Sequence, residues 1–162
     1  MVKVDAVFEE RYWYPDDGSI VWLSGYALVD DDGRFLARDA PELAARGLIV
    51  ASVAGAARHH PAALASDAAA PGSPLELRRD PTNAHDPHAI AVRLRGGEQL
   101  GWVPRAVAET LAPEIDDAAA WSALALRESR PSPRDPRTGL TMLLARAAAL
   151  ELRERPRSPP RP

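Results

Sequence analysis

The sequence predicts a mainly β protein, a small antiparallel barrel or α+β sheet domain with one or two short helices. Three observations carry that expectation. Short β-prone runs recur between Gly, Pro and Asx clusters, only two stretches have helical spacing and stop signals, and 162 residues suffice for a single core with an extension.

The first 47 residues form an N-terminal extension. Seven of the nine aromatics lie there (Phe8, Tyr12, Trp13, Tyr14, Trp22, Tyr26 and Phe35), which predicts a packed segment. Residues 19–38, SIVWLSGYALVDDDGRFLAR, read as a β-hairpin turning at Asp30, Asp31, Asp32 and Gly33. DAPELAARG follows as a short helix, with Asp39 as N-cap, Pro41 near the start, Glu42 in the first turn and Gly47 as the stop.

The main domain is expected over residues 48–150. LIVASVAGAAR, residues 48–58, reads as a buried strand ending at His59, His60 and Pro61, and PAALASDAAAPGS as a loose connection. LELRRD is the next strand. PTNAHDPHAIAVRL begins as an Asx/Pro turn and continues into a strand in which Arg93 and Arg95 face away from Ile90, Val92 and Leu94. Gly96 and Gly97 reverse the chain into the strand QLGWVP, and RAVAETLAPEID carries Val107, Leu111 and Ile115 at helical spacing.

WSALALRES and TGLTMLLARAAALEL are the last two strands, joined by RPSPRDPR, with helix from Leu143 as the open alternative for the second. Trp102 and Trp121 are expected within strands, as core residues. The remaining residues, 151–162, are expected to be a disordered Pro/Arg-rich tail.

Composition narrows the chemistry. The core is lean, because 31 residues are alanine, which buries little area. With no cysteine there is no disulfide, thiolate nucleophile or Cys-type metal site. Lys3 is the lone lysine, so no catalytic lysine is expected. P-loop, dinucleotide-binding, HExxH and GxSxG patterns are absent, which argues against nucleotide hydrolysis and the familiar catalytic triads. Without a signal-like or membrane-length apolar run, a cytoplasmic protein with no membrane partner is expected.

Charge is divided unevenly. Residues 1–48 hold 5 basic and 10 acidic side chains, and the remainder 15 and 13, so a polyanion is expected to meet the second part.

Chemistry concentrates at Arg58-His59-His60, at Arg78-Arg79-Asp80-Pro81-Thr82-Asn83-Ala84-His85-Asp86-Pro87-His88-Ala89-Ile90, and at Gly101-Trp102-Val103-Pro104-Arg105. Asp80, Asn83 and Asp86 are residues that tie turns. Four imidazoles with Asp86 form a His/Asp metal site if the two segments meet, although adjacent His59 and His60 on one strand would point to opposite sides.

An Arg with two rings, then L-x-R-x-P-x-N-x-x-D-x-x-A-I-x-V, then G-x-x-P and a helix, resembles the HIRAN domain. The resemblance runs from about residue 48 to 148 and leaves residues 1–47 and the tail uncovered. It implies an OB-like barrel that binds single-stranded DNA at a free 3′ end without catalysis or cofactor. In such a module Arg58 meets a phosphate, His59 and His60 stand where an aromatic pair stacks a base, and His85 replaces a further stacking ring. Asn83 and Asp86 fall on its polar positions, Asp86 accepting from the 3′-hydroxyl, and Arg105 meets the strand backbone beside a helix N-terminus.

That reading places the protein in DNA repair or replication-fork processing, nucleoid-associated when bound, with a helicase or nuclease as possible partner. Two other classes remain open: a protein–protein adaptor on the same barrel, and a small metal-dependent hydrolase.

Overall fold

In the computed structural model, residues 2–14, 16, 18, 20–130 and 139–156 are described. The strands are β1 (Val2–Trp13), β2 (Val21–Leu28), β3 (Leu48–Ser52), β4 (Pro74–Arg79), β5 (Ile90–Leu94), β6 (Gln99–Trp102), β7 (Ser122–Arg130), β8 (Gly139–Ala145) and β9 (Leu150–Glu154). The helices are α1 (Pro41–Ala45), α2 (Ala56–His59), α3 (Pro61–Leu64) and α4 (Arg105–Asp116). None is long and apolar enough to cross a membrane.

Strand pairing closes a barrel in the order β3-β8-β7-β4-β5-β6. The seam is a two-way bridge between Ala54 and Trp102, whose amides each bond the other's carbonyl at 2.8 and 2.9 Å. Gly101 explains why the seam can shut. A β-carbon there would sit 2.5 Å from the Ala54 carbonyl oxygen and 2.6 Å from Val53 Cγ1. The fold is thus mostly β, a small OB-like barrel.

Two cores share walls. Ala51, Ala123, Ala125, Leu140, Met142 and Leu144 point into the barrel with Ile90, Val92, Leu100 and, from α4, Leu111. The alternate residues of the same three strands, Leu48, Val50, Leu124, Leu126, Leu143 and Ala145, face outward and are covered by Val4, Ala6, Leu28 and Leu43. β1, β2 and α1 therefore contribute the outer layer over β3, β7 and β8.

Several expectations are corrected. β2 pairs along one edge with β1, from Ala6 opposite Leu28 to Trp13 opposite Val21, and along the other with β7, from Trp22 to Gly25, which leaves the run after the Asp30 turn only the end of that second edge. There the expected hairpin is cut to its tip: the Leu36 amide donates to the Leu28 carbonyl and the Asp30 amide to the Arg34 carbonyl, both at 2.9 Å, around a Val29–Phe35 bridge, and Asp30 Oδ1 accepts from the amides of Asp32 and Arg34. Asp39 does not cap α1: the cap position is Ala40, without a side-chain bond, and Pro41 starts the helix.

The strand from Leu48 stops at Ser52. Gly55, at φ 76°, turns the chain into α2, so Arg58 and His59 lie on a helical turn. The expected loose connection folds as α3 and a 3-10 turn, Asp67–Ala69, capped by Ser66, with Ala63 and Ala69 buried. Four short helices replace the one or two expected. Alanine's high helix propensity and small volume let these turns lie flat on the barrel.

Leu143 lies in β8, not in a helix, because that strand is buried on both faces. Trp121 precedes β7 and is half-buried. The start of the expected tail is β9, which pairs parallel with β1 and makes the sheet mixed instead of purely antiparallel. Leu150 and Leu152 pack on the outer core, and buried Asp5 binds Arg153 at 2.8 Å and Arg155 at 2.6 Å. Residues 131–138 and 157–162 lie outside the described residues, and with them most of RPSPRDPR and the rest of the tail.

The early aromatics are less packed than their number suggested. Phe8, Tyr12, Trp13, Tyr14 and Phe35 are all exposed, since the lean outer core is filled by aliphatic residues and the rings are left outside it.

Candidate functional site

Register on the outer face of β4, β5 and β6 defines two cross-strand rows. Arg78 stands opposite Ala91, which stands opposite Trp102; Glu76 stands opposite Arg93, which stands opposite Gln99. Ala91 fills little space between Arg78 and Trp102. The result is a groove of about 440 Å³ lined by Arg78, Arg79, Asp80, Arg93, Gln99 and Trp102.

The groove is cationic with an aromatic wall. Arg93 Nε is buried without a hydrogen-bond partner among the described residues, and Trp102 is half-buried with its indole at the wall. Two guanidiniums, Arg78 and Arg93, beside an indole can hold phosphates and stack a flat ring. Trp102 was expected in the core; it sits instead at the seam, where the face of β6 turns outward.

The motif loop stands at one edge of this groove, tied by its own side chains. Asn83 Nδ2 donates to Asp80 Oδ2 at 3.2 Å, while Asn83 Oδ1 accepts from the amides of His85 and Asp86 at 2.9 and 3.1 Å. Asp86 Oδ1 accepts from the His88 amide at 2.9 Å. These are Asx bonds, so Asn83 and Asp86 build the loop. Asp86 Oδ2 accepts no hydrogen bond among the described residues, and the His85 side chain is exposed.

Arg79 fixes the loop to the rest of the molecule. It donates to the carbonyls of Ala89 (2.8 Å) and Pro87 (3.0 Å) and grips both carboxylate oxygens of Asp116 at the end of α4. Arg79's hydrogen bond holds the Asp116 carboxyl below its ordinary value, partly opposed by desolvation. The sequence reading passed over Arg79 as a site residue. Its one legible signal was the unpaired position of a second arginine just before the turn.

The remaining candidates lie on the other side of Trp102. A β-carbon at Gly55 would be 3.4 Å from His59 Cδ2 and 4.0 Å from Trp102 Cδ1, so the imidazole and the indole flank one backbone position. Arg58 is exposed on α2. His60, half-buried between α2 and α3, meets His59 edge-on at 6.5 Å between centroids. Arg105 is exposed at the first position of α4, where no acidic residue opposes it in the first turn. His59 and the groove therefore meet at Trp102, while exposed Arg58 precedes His59 on α2 and exposed Arg105 follows Trp102 at the start of α4. Among the described residues no group of three or more His, Asp or Glu side chains has the arrangement to hold a metal ion, so the histidines do not assemble a His/Asp site.

A family model described as "HIRAN domain" matches residues 47–144. The crystal structure of the HIRAN domain of human HLTF is similar over 61% of this chain and 74% of that chain, at 21% identity and a TM-score of 0.46. A search of curated proteins finds no match.

Proposed function

The chain belongs to the HIRAN domain family, and from that premise we propose that it is a non-catalytic module that binds single-stranded DNA, with preference for free 3′ ends. Family membership supports nucleic-acid binding in general. The observation that carries the reading on this chain is the groove in which Arg78 and Arg93 flank an alanine floor beside Trp102.

In this proposal the strand backbone runs along the arginines, with Arg58 and Arg105 as further phosphate contacts. His59 and Trp102 stack bases, His60 supports His59 from the α2–α3 junction, and His85 stacks at the loop. Asp86 Oδ2, free of any other bond among the described residues, accepts from a terminal 3′-hydroxyl, and Asn83 holds Asp86 in place. A 3′-phosphate would bring negative charge against that carboxylate. Cleavage or unwinding in repair or fork processing then falls to a helicase or nuclease partner.

Fluorescence anisotropy with two labelled single strands, one ending in a 3′-hydroxyl and one in a 3′-phosphate, tests this. Expected is tighter binding to the first, with Asp86→Asn reducing the difference and Arg78→Gln weakening both. If neither strand binds at low salt, the proposal is overturned and the protein–protein adaptor is favoured.

A further inference from the structure

A second cationic groove, of about 540 Å³, lies in the layer made by β1, β2, β7 and β8, and shares no residue with the first. A register shift between Ala125 and Arg127 bulges β7 at Leu126 and sets Arg127 opposite Thr141 of β8, which itself faces Ser52 of β3. On its other side Arg127 faces Gly25 of β2. A β-carbon at Gly25 would overlap the Leu126 carbonyl oxygen and lie 2.9 Å from Arg127 Cγ, so glycine leaves the space the arginine stem occupies.

Arg127 is half-buried and has no acidic partner within ion-pair distance among the described residues, while Arg38 and Arg11 line the same groove. Burial, and then the charges of Arg38 and Arg11, push its guanidinium below the ordinary arginine value, with Glu9 acting weakly the other way. The nearby carboxylates offset the cluster only in part. Glu128 is engaged by Arg130, and Glu9 reaches Arg11 only at 4.0 Å. Three mutually repelling guanidiniums over a floor with Ser52 and Thr141 are stabilised when an anion enters. Trp13 stands on the rim, 48% exposed.

We propose that this groove is a second contact site for single-stranded nucleic acid, in which Arg127, Arg38 and Arg11 hold phosphate and Trp13 stacks a base. The exposed indole favours a nucleotide over an acidic peptide, because a base offers it a flat ring and a glutamate side chain does not. The inference concerns the same ligand class as the proposed function but uses none of the residues on which that proposal stands.

The test uses the full chain and a long oligo(dT) carrying iodinated uracils, with photocrosslinked peptides mapped by mass spectrometry and anisotropy measured across a salt series. Expected is a crosslink to the peptide containing Trp13, and a fall of about 1.4 in the slope of log affinity against log salt for the double variant Arg11→Gln/Arg38→Gln, at about 0.7 per lost phosphate contact. Both arginines are exposed, so folding is preserved, and Arg127→Gln is added if its melting temperature matches the parent. Crosslinks confined to the Trp102 and His59 peptides, with an unchanged slope, would overturn the inference and leave the first groove standing. Absence of any crosslink would overturn both. If the variant instead loses binding to poly-glutamate while retaining oligo(dT), the occupant is an acidic peptide and the inference is wrong.

Discussion

Replacing Arg79 with Met isolates the hydrogen bonds that hold the motif loop, because Met keeps most of the apolar stem of a side chain only 13% exposed. Of the groups lost, the Ala89 carbonyl matters most, since it is partly buried, yet it keeps a second bond from the Asp80 amide at 2.9 Å. One charge-assisted bond at about 1.5 kcal/mol therefore goes there, and the exposed Pro87 carbonyl adds a fraction of that because water replaces the guanidinium. Asp116 is exposed and adds little. The total is about 2 kcal/mol, or a drop in Tm of roughly 4–8 °C for a chain of this size. Thermal unfolding by circular dichroism measures it, and amide exchange at His85, Asp86 and His88 is expected to speed up in the same variant. A Tm within a degree of the parent, or an equal loss from Asp116→Asn, would refute the claim that the two carbonyls carry the clamp.

Gly101→Ala is expected to cost about 1–3 kcal/mol in urea unfolding, because its methyl meets the Ala54 carbonyl across the barrel seam. Leu143→Ala, in the outer core that joins residues 1–47 to the barrel, is expected to cost about 2–5 kcal/mol and to unfold in one transition; an early separate transition would mean that the N-terminal layer is independent. Removing both Arg153 and Arg155 leaves buried Asp5 unpaired and is expected to cost about 3–5 kcal/mol, more than Asp5→Ala, whose freed arginines can turn to water. The depressed carboxyl of Asp116 adds stability above its unfolded value near 3.9, and that increment is lost as pH falls through the lower folded value. An acid titration of Tm is expected to show a smaller decline below about pH 4 for Asp116→Asn than for the parent.

What the sequence determined by itself was local. The positions of β4 and β5, the Gly96–Gly97 reversal and α4 were all legible, since period-two alternation and helical spacing are properties of neighbouring residues. So was the Asx loop, because Asn83 and Asp86 bond amides two or three positions away. Tertiary structure decided what depends on distant partners. The hairpin after β2 is cut to its tip because β7, distant in sequence, takes that edge of β2 from Trp22 to Gly25. Leu143 became strand because helix on that segment would expose one of its two buried faces. β9 joined the sheet because Asp5, 148 residues away, is buried and needs a cation. The groove of Arg78, Arg93 and Trp102 belongs to the same class: three strands create it by register, and no stretch of sequence contains it.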